Sequence, residues 1–153
     1  MSVIKKVQSY LDQYDMGLKI IEFEESTRTC ELAAKALGVE VGQIAKTIVF
    51  QADGQPVLVV ASGDKKIKTG KLKRLFGANK VKMADPETVE RVTGYPVGGV
   101  CPVALPDKLP ILLDETMHRF PVVYAAAGTP NSALPMTMEQ LQRITGGQWA
   151  DLV

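Results

Sequence analysis

Two apolar runs, residues 47–51 and 56–61, stand on either side of Asp53-Gly54. An Asp-Gly link between such runs specifies a tight β-hairpin, because the turn that matches the twist of paired strands needs positive φ. The second run holds Val57-Leu58-Val59-Val60-Ala61, the longest aliphatic stretch in the 153 residues. It is far short of the about 20 residues a membrane span requires. A sheet built around this hairpin is therefore the expected core.

The flanking segments alternate between helix and strand. Val3, Val7, Leu11 and Tyr14 share one helical face over residues 2–14. Residues 19–24 alternate like a short strand. Thr29 caps a helix that runs to Leu37, with Leu32, Ala33, Ala36 and Leu37 as its apolar stripe and Gly38 as its stop. Leu72, Leu75 and Phe76 mark a short helix, and residues 79–83 a strand. Asp85 and Pro86 open another helix that Gly94 closes. Residues 109–113 and 122–126 read as strands. Thr137 and Gln140 form a capping box for a last helix ending near Gly146-Gly147, and residues 148–153 add an edge strand. A hairpin with dispersed helices predicts one α+β domain over residues 1–153, around a mixed sheet and not a regular doubly wound one.

Several chemistries are excluded early. Cys30 and Cys101 suggest neither a disulfide framework nor a zinc site. His118 is the single histidine, so a catalytic triad would have to use it. The N-terminus has no apolar segment of the secretory kind, and a cytoplasmic protein is expected. The formal net charge of +1 conceals a segregation. Residues 65–82 carry eight basic side chains and no acid, which leaves the remainder of the chain at −7. Such a segment suits contact with phosphate, while a solvated helix face is the plainer explanation. The pI of 7.7 speaks for local contact with nucleic acid and not for a DNA reader.

Residues 94–110 hold seven glycines or prolines in seventeen positions, with the core Gly94-Tyr95-Pro96-Val97-Gly98-Gly99-Val100-Cys101-Pro102. Glycines let main-chain N–H groups approach a ligand and prolines stiffen the segment, so it can hold a carbonyl or oxyanion without a catalytic side chain. It is neither a Walker loop nor a dinucleotide fingerprint. A tight structural loop explains it equally well. Gly128-Thr129-Pro130-Asn131 follows another strand and reads as a turn or as part of a site. Lys46 precedes the strand at residues 47–51, where it either snorkels to solvent or presents a fixed cation.

Taken in order, Glu31-Leu32-Ala33-Ala34-Lys35-Ala36-Leu37-Gly38, Ile44-Ala45-Lys46-Thr47-Ile48-Val49-Phe50, the Gly94-to-Pro102 loop and Gly128 resemble the YbaK-type prolyl-tRNA editing-domain family. The resemblance runs from about residue 19 to 153. It implies a mixed, barrel-like sheet flanked by helices, and a free-standing hydrolase of the ester joining a wrong amino acid to tRNA. It implies no cofactor and no metal. Aminoacyl-tRNA is the implied partner, with an aminoacyl-tRNA synthetase as a second, and neither DNA nor a membrane is expected. Lys46, Gly98, Gly99 and Pro102 are the implied catalytic positions. Thr29, Thr47, Val100, Cys101, Asp114, Gly128 and Thr129 surround the substrate, and Lys65, Lys66, Lys68, Lys71, Lys73 and Arg74 guide the tRNA.

In this family the substrate's own ribose 2′-hydroxyl helps activate water, which suits a chain without an evident general base. His118 lies in the charged stretch Asp114-Glu115-Thr116-Met117-His118-Arg119 and reads as surface. Asp114 reads first as a helix cap. Cys101 has no adjacent base and reads as a packing residue. Ala126-Ala127-Gly128 stands where the Cys-tRNA-editing branch has Ser-Gly-Gly or Ser-Ala-Gly, and Thr29 where that branch has an aromatic residue. Nor does the second glycine cluster carry the histidine common in the Ala-tRNA-editing branch. Two alternatives stand beside the deacylase: a tRNA- or nucleotide-binding module of the same fold, and a small-molecule-binding α+β domain.

Overall fold

Asp53 and Gly54 take φ of 48° and 84°, so the hairpin closes as the sequence requires. The structure is a computed structural model and describes residues 2–153. Its elements are α1 (Val3–Asp12), β1 (Ile21–Glu22), α2 (Cys30–Leu37), β2 (Ile44–Ala52), β3 (Gln55–Ser62), α3 (Thr69–Phe76) and β4 (Val81–Met83). There follow α4 (Pro86–Thr93), β5 (Ile111–Asp114), β6 (Val123–Ala125), β7 (Ser132–Met136), α5 (Met138–Thr145) and β8 (Gln148–Ala150). One mixed sheet has the order β1-β7-β6-β2-β3-β5-β8, with β4 attached to β2 off that path. The β2–β6, β3–β5 and β5–β8 ladders are parallel and the others antiparallel.

The central hairpin explains the layers. Leu58 and Val60 of β3 enter one core with Val7 and Leu11 of α1 and Leu141 and Ile144 of α5. Val57, Val59 and Ala61 enter a second core with Leu72 of α3 and Leu152. A strand buried on both faces needs apolar residues at every position, which is what this run supplies. Each fully buried Val or Leu contributes about 1.5–3 kcal/mol of burial free energy. A third, smaller cluster joins Ala33 and Ala34 of α2 to Ile44 of β2.

One edge of β2 is divided. β3 takes the opposite edge along the whole strand. On the divided edge β6 pairs only with Ile44 and Ala45, and β4 only with Phe50, Gln51 and Ala52. Thr47 and Ile48 lie in the interval between these two ladders. The long Gly/Pro-rich loop fills in beside that interval.

The helix starts follow their capping chemistry. Thr29, Asp85 and Thr137 accept from the backbone N–H of Leu32, Thr88 and Gln140, respectively. Elsewhere the elements depart from expectation. The stripe of α2 is rotated by one position: Ala33 and Ala34 are buried while Leu32 is 42% exposed. The strand expected over residues 19–24 shrinks to Ile21–Glu22. β7 was not anticipated, and Pro135 lies in it. β1 pairs only with Ser132 and Ala133, so the ladder on that side ends before the proline. Among the described residues no helix is long and apolar enough to cross a membrane.

Candidate functional site

Lys46 lies inside β2 as its third residue, paired with Ala61, and not ahead of the strand as expected. Strand alternation sends it to the face that carries Ile44 and α2, and sends Thr47 to the opposite face with Ala45 and Val49. The Lys46 ammonium donates to the carbonyl of Lys65 in the loop after β3. That loop is itself clamped. Asp64 accepts two hydrogen bonds from the Arg119 guanidinium, at 2.8 and 3.1 Å, and Arg119 Nε donates to the Thr116 carbonyl at 2.8 Å. The bond from Arg119 is the main reason the Asp64 carboxyl titrates below its usual range. The clamp is therefore present at neutral pH, and its contribution is lost as pH falls through the lowered folded-state value.

A cavity of about 140 Å³ opens where β2 is unpaired. Its walls come from the start of α2 (Thr29, Cys30, Ala33), from Lys46 and Thr47, from Ala126 and Ser132, and from Gly98 and Val100 of the loop. Arg28 and Lys46 are its charged lining residues. Among the described residues, no carboxylate and no histidine lines it. The Thr47 hydroxyl is buried and has no hydrogen-bond partner. Burial pushes the Cys30 thiol up against the opposing pull of Lys46, so this sulfur is a neutral wall and not a thiolate.

The loop reaches the cavity through Gly98 and Val100, and neither Gly98 nor Gly99 can take a larger residue without displacement. Gly98 has φ +92° and a Cβ there would fall 2.9 Å from the Arg28 Cβ. A Cβ on Gly99 would fall 2.9 Å from the Thr129 carbonyl carbon. The loop is thus wedged between the lead-in to α2 and the turn after β6. Its base is pinned by the buried Tyr95, whose hydroxyl donates to the Val103 carbonyl at 2.7 Å.

The expected site residues divide accordingly. Lys46, Gly98, Thr29, Thr47 and Val100 meet at the cavity. Gly99 and Thr129 pack against each other outside the cavity lining. Gly128 lies behind them, where a Cβ would meet Val3 and Tyr95. Three residues are placed elsewhere. Pro102 lines a separate hollow with residues 103–112. Cys101 is fully buried in the main core, which pushes its thiol up to about 12. Asp114 is also fully buried: it accepts from the Thr116 N–H and hydroxyl and from the Leu152 N–H, so it is a cap and a tie to the C-terminus. Within the basic segment Lys66, Lys68, Lys73 and Arg74 are exposed, whereas Lys71 is held by Asp151 at 2.9 Å and the Val153 carbonyl oxygen at 2.6 Å.

His118 is also accounted for away from the cavity. Its ring lies 4.1 Å from that of Trp149, centroid to centroid, and Nδ1 is 3.1 Å from the Glu115 carbonyl oxygen. We expect His118→Ala and Cys101→Ser each to keep most of the wild-type kcat/KM. A loss above about a hundredfold at normal stability in either variant points to an acid–base or covalent mechanism instead.

Arg28, Tyr124 and Ser132 line the cavity and were not anticipated. Arg28 sits beside the Thr29 cap, and the capping signal hid it. Ser132 accepts from the Ala127 N–H at 3.1 Å and donates to the Thr129 carbonyl at 3.1 Å, closing the turn that follows β6. The Thr129-Pro130-Asn131-Ser132 run was its only local signal.

The family pattern described as the aminoacyl-tRNA editing domain matches residues 24–144. The chain is 36% identical over 151 residues to the protein YwhH of Bacillus subtilis (strain 168), covering 97% of this chain and 96% of that one. It is 29% identical over 145 residues to an Enterococcus faecalis (strain ATCC 700802 / V583) protein named "Putative Cys-tRNA(Pro)/Cys-tRNA(Cys) deacylase EbsC", covering 93% and 88%. Among solved structures, "a putative trans-editing enzyme for prolyl tRNA synthetase" superimposes with a TM-score of 0.91 at 40% identity, covering 99% of this chain and 97% of that one.

Proposed function

The chain belongs to the aminoacyl-tRNA editing-domain family, and from that premise we propose that it is a trans-editing deacylase, hydrolysing the ester between a wrong amino acid and its tRNA. One observation carries the reading. Lys46, its ammonium held by the Lys65 carbonyl, lines the same small cavity as Gly98 and Val100 of the loop. An aminoacyl ester is already activated, so the protein must mainly position it and offset the charge that develops on its carbonyl oxygen. Water adds to the carbonyl carbon, the bond to the ribose oxygen breaks, and that oxygen leaves with a proton. The products are free amino acid and deacylated tRNA. Lys46 and the main-chain N–H groups of Gly98 and Val100 stabilise the oxyanion, the Gly99 N–H being bonded to the Pro96 carbonyl at 3.0 Å. The substrate's vicinal ribose hydroxyl activates the water, which suits a cavity lined by no carboxylate or histidine.

The cavity walls Ala33, Val100 and Ala126 are small and apolar, so a small amino acid is the proposed acyl group. One methylene is worth only about 1–3 kcal/mol in such a pocket, so modest lining changes reassign the substrate. Deacylation of a panel of mischarged tRNAs by the purified protein tests the whole reading. Hydrolysis of a small-amino-acid ester is expected; tRNA binding without hydrolysis of any ester makes the chain a binding module instead. A synthetase that releases mischarged tRNA is the proposed functional partner.

The exposed cations Lys66, Lys68, Lys73 and Arg74 form the proposed path for the tRNA body. The path begins at the cavity, because Lys65 at its start holds the Lys46 ammonium. The triple change Lys68→Ala, Lys73→Ala and Arg74→Ala is expected to raise KM for aminoacyl-tRNA with little change in kcat. Charges that touch phosphate far from the ester bind ground and transition states alike. The salt slope of binding should flatten by roughly 0.7–0.9 per lost phosphate contact. Unchanged KM and slope at two salt concentrations would place the tRNA elsewhere.

A further inference from the structure

We propose that the apolar groove on the far side of Thr47 from the cavity is the seat of the terminal adenosine of the acylated tRNA. The proposal rests on the deacylase reading and adds a second subsite to it. The groove encloses about 320 Å³ and is formed by Met83 and Ala84 after β4, Pro86 and Val89 of α4, and Val97 of the loop. Met83 is 63% exposed and Val97 51% exposed, so two large apolar side chains face solvent beside an open hollow. Exposed apolar surface that is contiguous and concave marks a ligand or partner site more often than scattered apolar residues do.

Three observations select the occupant. First, the groove adjoins the cavity: Thr47, Gly98 and Val100 line both. Second, the Thr47 hydroxyl at this junction is buried and unpartnered. A buried hydroxyl left unpaired costs free energy, and a ligand oxygen or hydroxyl at the junction removes that cost. Third, the chemistry of the ester fixes the distance between its parts. The acyl group hangs directly on the ribose of a terminal nucleoside, so if the acyl group fills the cavity the base lies one sugar away. From the junction, the groove supplies an apolar bed of that reach. An acyl group in the cavity, a ribose at Thr47 and a base between Met83 and Val97 follow the divided edge of β2 from end to end. The interval between the β6 and β4 ladders is what leaves room for all three.

Thr47 is thereby assigned to the ribose, and Met83 and Val97 to the faces and rim of the adenine. Both apolar residues are more than half exposed, so their replacement leaves the core intact. The test uses the full chain in two assays. In the first, adenosine and cytidine are titrated separately into the wild type while backbone amide resonances are followed. Adenosine is expected to shift the amides of residues 83–84 and 97–100, with cytidine at least about fivefold weaker. Met83→Asp and Val97→Asp should each weaken adenosine at least about tenfold, while Lys46→Ala keeps it. In the second assay, deacylation of a minimal aminoacyl-adenosine is compared among the same proteins. The two Asp variants should lose about tenfold in kcat/KM, mostly through KM.

Adenosine shifts confined to other regions, or Asp variants as active as wild type on the minimal ester, overturn the groove assignment and leave the deacylase reading standing. A wild type that binds adenosine in the groove but hydrolyses no ester in the panel supports the subsite and overturns the deacylase. Equal shifts by adenosine and cytidine also overturn the assignment, since the groove then reads no base.

Discussion

Lys46→Ala is expected to lower kcat/KM for deacylation by about a hundredfold while leaving the fold in place. Removing one donor directed at a developing oxyanion costs roughly 3 kcal/mol. The Lys46 head meets a single backbone carbonyl, that of Lys65, at the rim of the cavity, so truncation removes charge with little packing. Circular dichroism and the thermal midpoint should match wild type. Lys46→Arg separates charge from position. Its planar fork cannot occupy the same point as an ammonium held by one carbonyl, so only part of the activity should return. A wild-type rate in Lys46→Ala removes this side chain from the mechanism and leaves the loop backbone as the whole of it.

Asp114→Ala should do the reverse, destabilising the protein without touching the chemistry. The carboxylate is fully buried and accepts from Thr116 and Leu152. Its loss leaves the buried Leu152 N–H without an acceptor and uncaps the turn after β5. Together these cost about 2–4 kcal/mol, from an orphaned buried donor and a lost cap. In a chain of this length that corresponds to a fall of roughly 5–15 °C in Tm. At a temperature where the variant is folded, its kcat and KM should equal those of wild type. A raised KM at unchanged Tm would instead return Asp114 to the substrate.

These two residues also show what the sequence could tell. The hairpin and the three capped helices are set by chemistry within four residues, so Asp53-Gly54, Thr29, Asp85 and Thr137 announce them directly. Asp114 differs because its decisive partner, Leu152, is 38 residues away, and an acid at a strand end ordinarily reads as exposed. Lys46 was visible as an odd cation beside a core strand. That it lies within the strand follows from β3, whose ladder runs back past it to Ala45, and from β6, which pairs with Ile44 and Ala45. The glycine pair at 98–99 was legible as a close approach, but not that its targets are Arg28 and Thr129. β7 had no counterpart in the sequence reading; it contains Pro135, which lies beyond the end of the β1 ladder at Ala133.

The divided edge of β2 has a further consequence for how such a protein can change. The ammonium is carried by a strand locked to β3 along its whole length and clamped through Asp64 and Arg119. One wall of the proposed acyl pocket is carried by a different stretch of chain, residues 27–37, joined to the sheet through the small Ala33–Ala34–Ile44 cluster and through Thr27, which bonds to the carbonyls of Pro130 and Ser132. In the proposed mechanism the ammonium and this part of the acyl wall thus travel on separate pieces of chain. A descendant, or an engineer, can alter the α2 wall of the pocket while inheriting unchanged the strand that holds the ammonium.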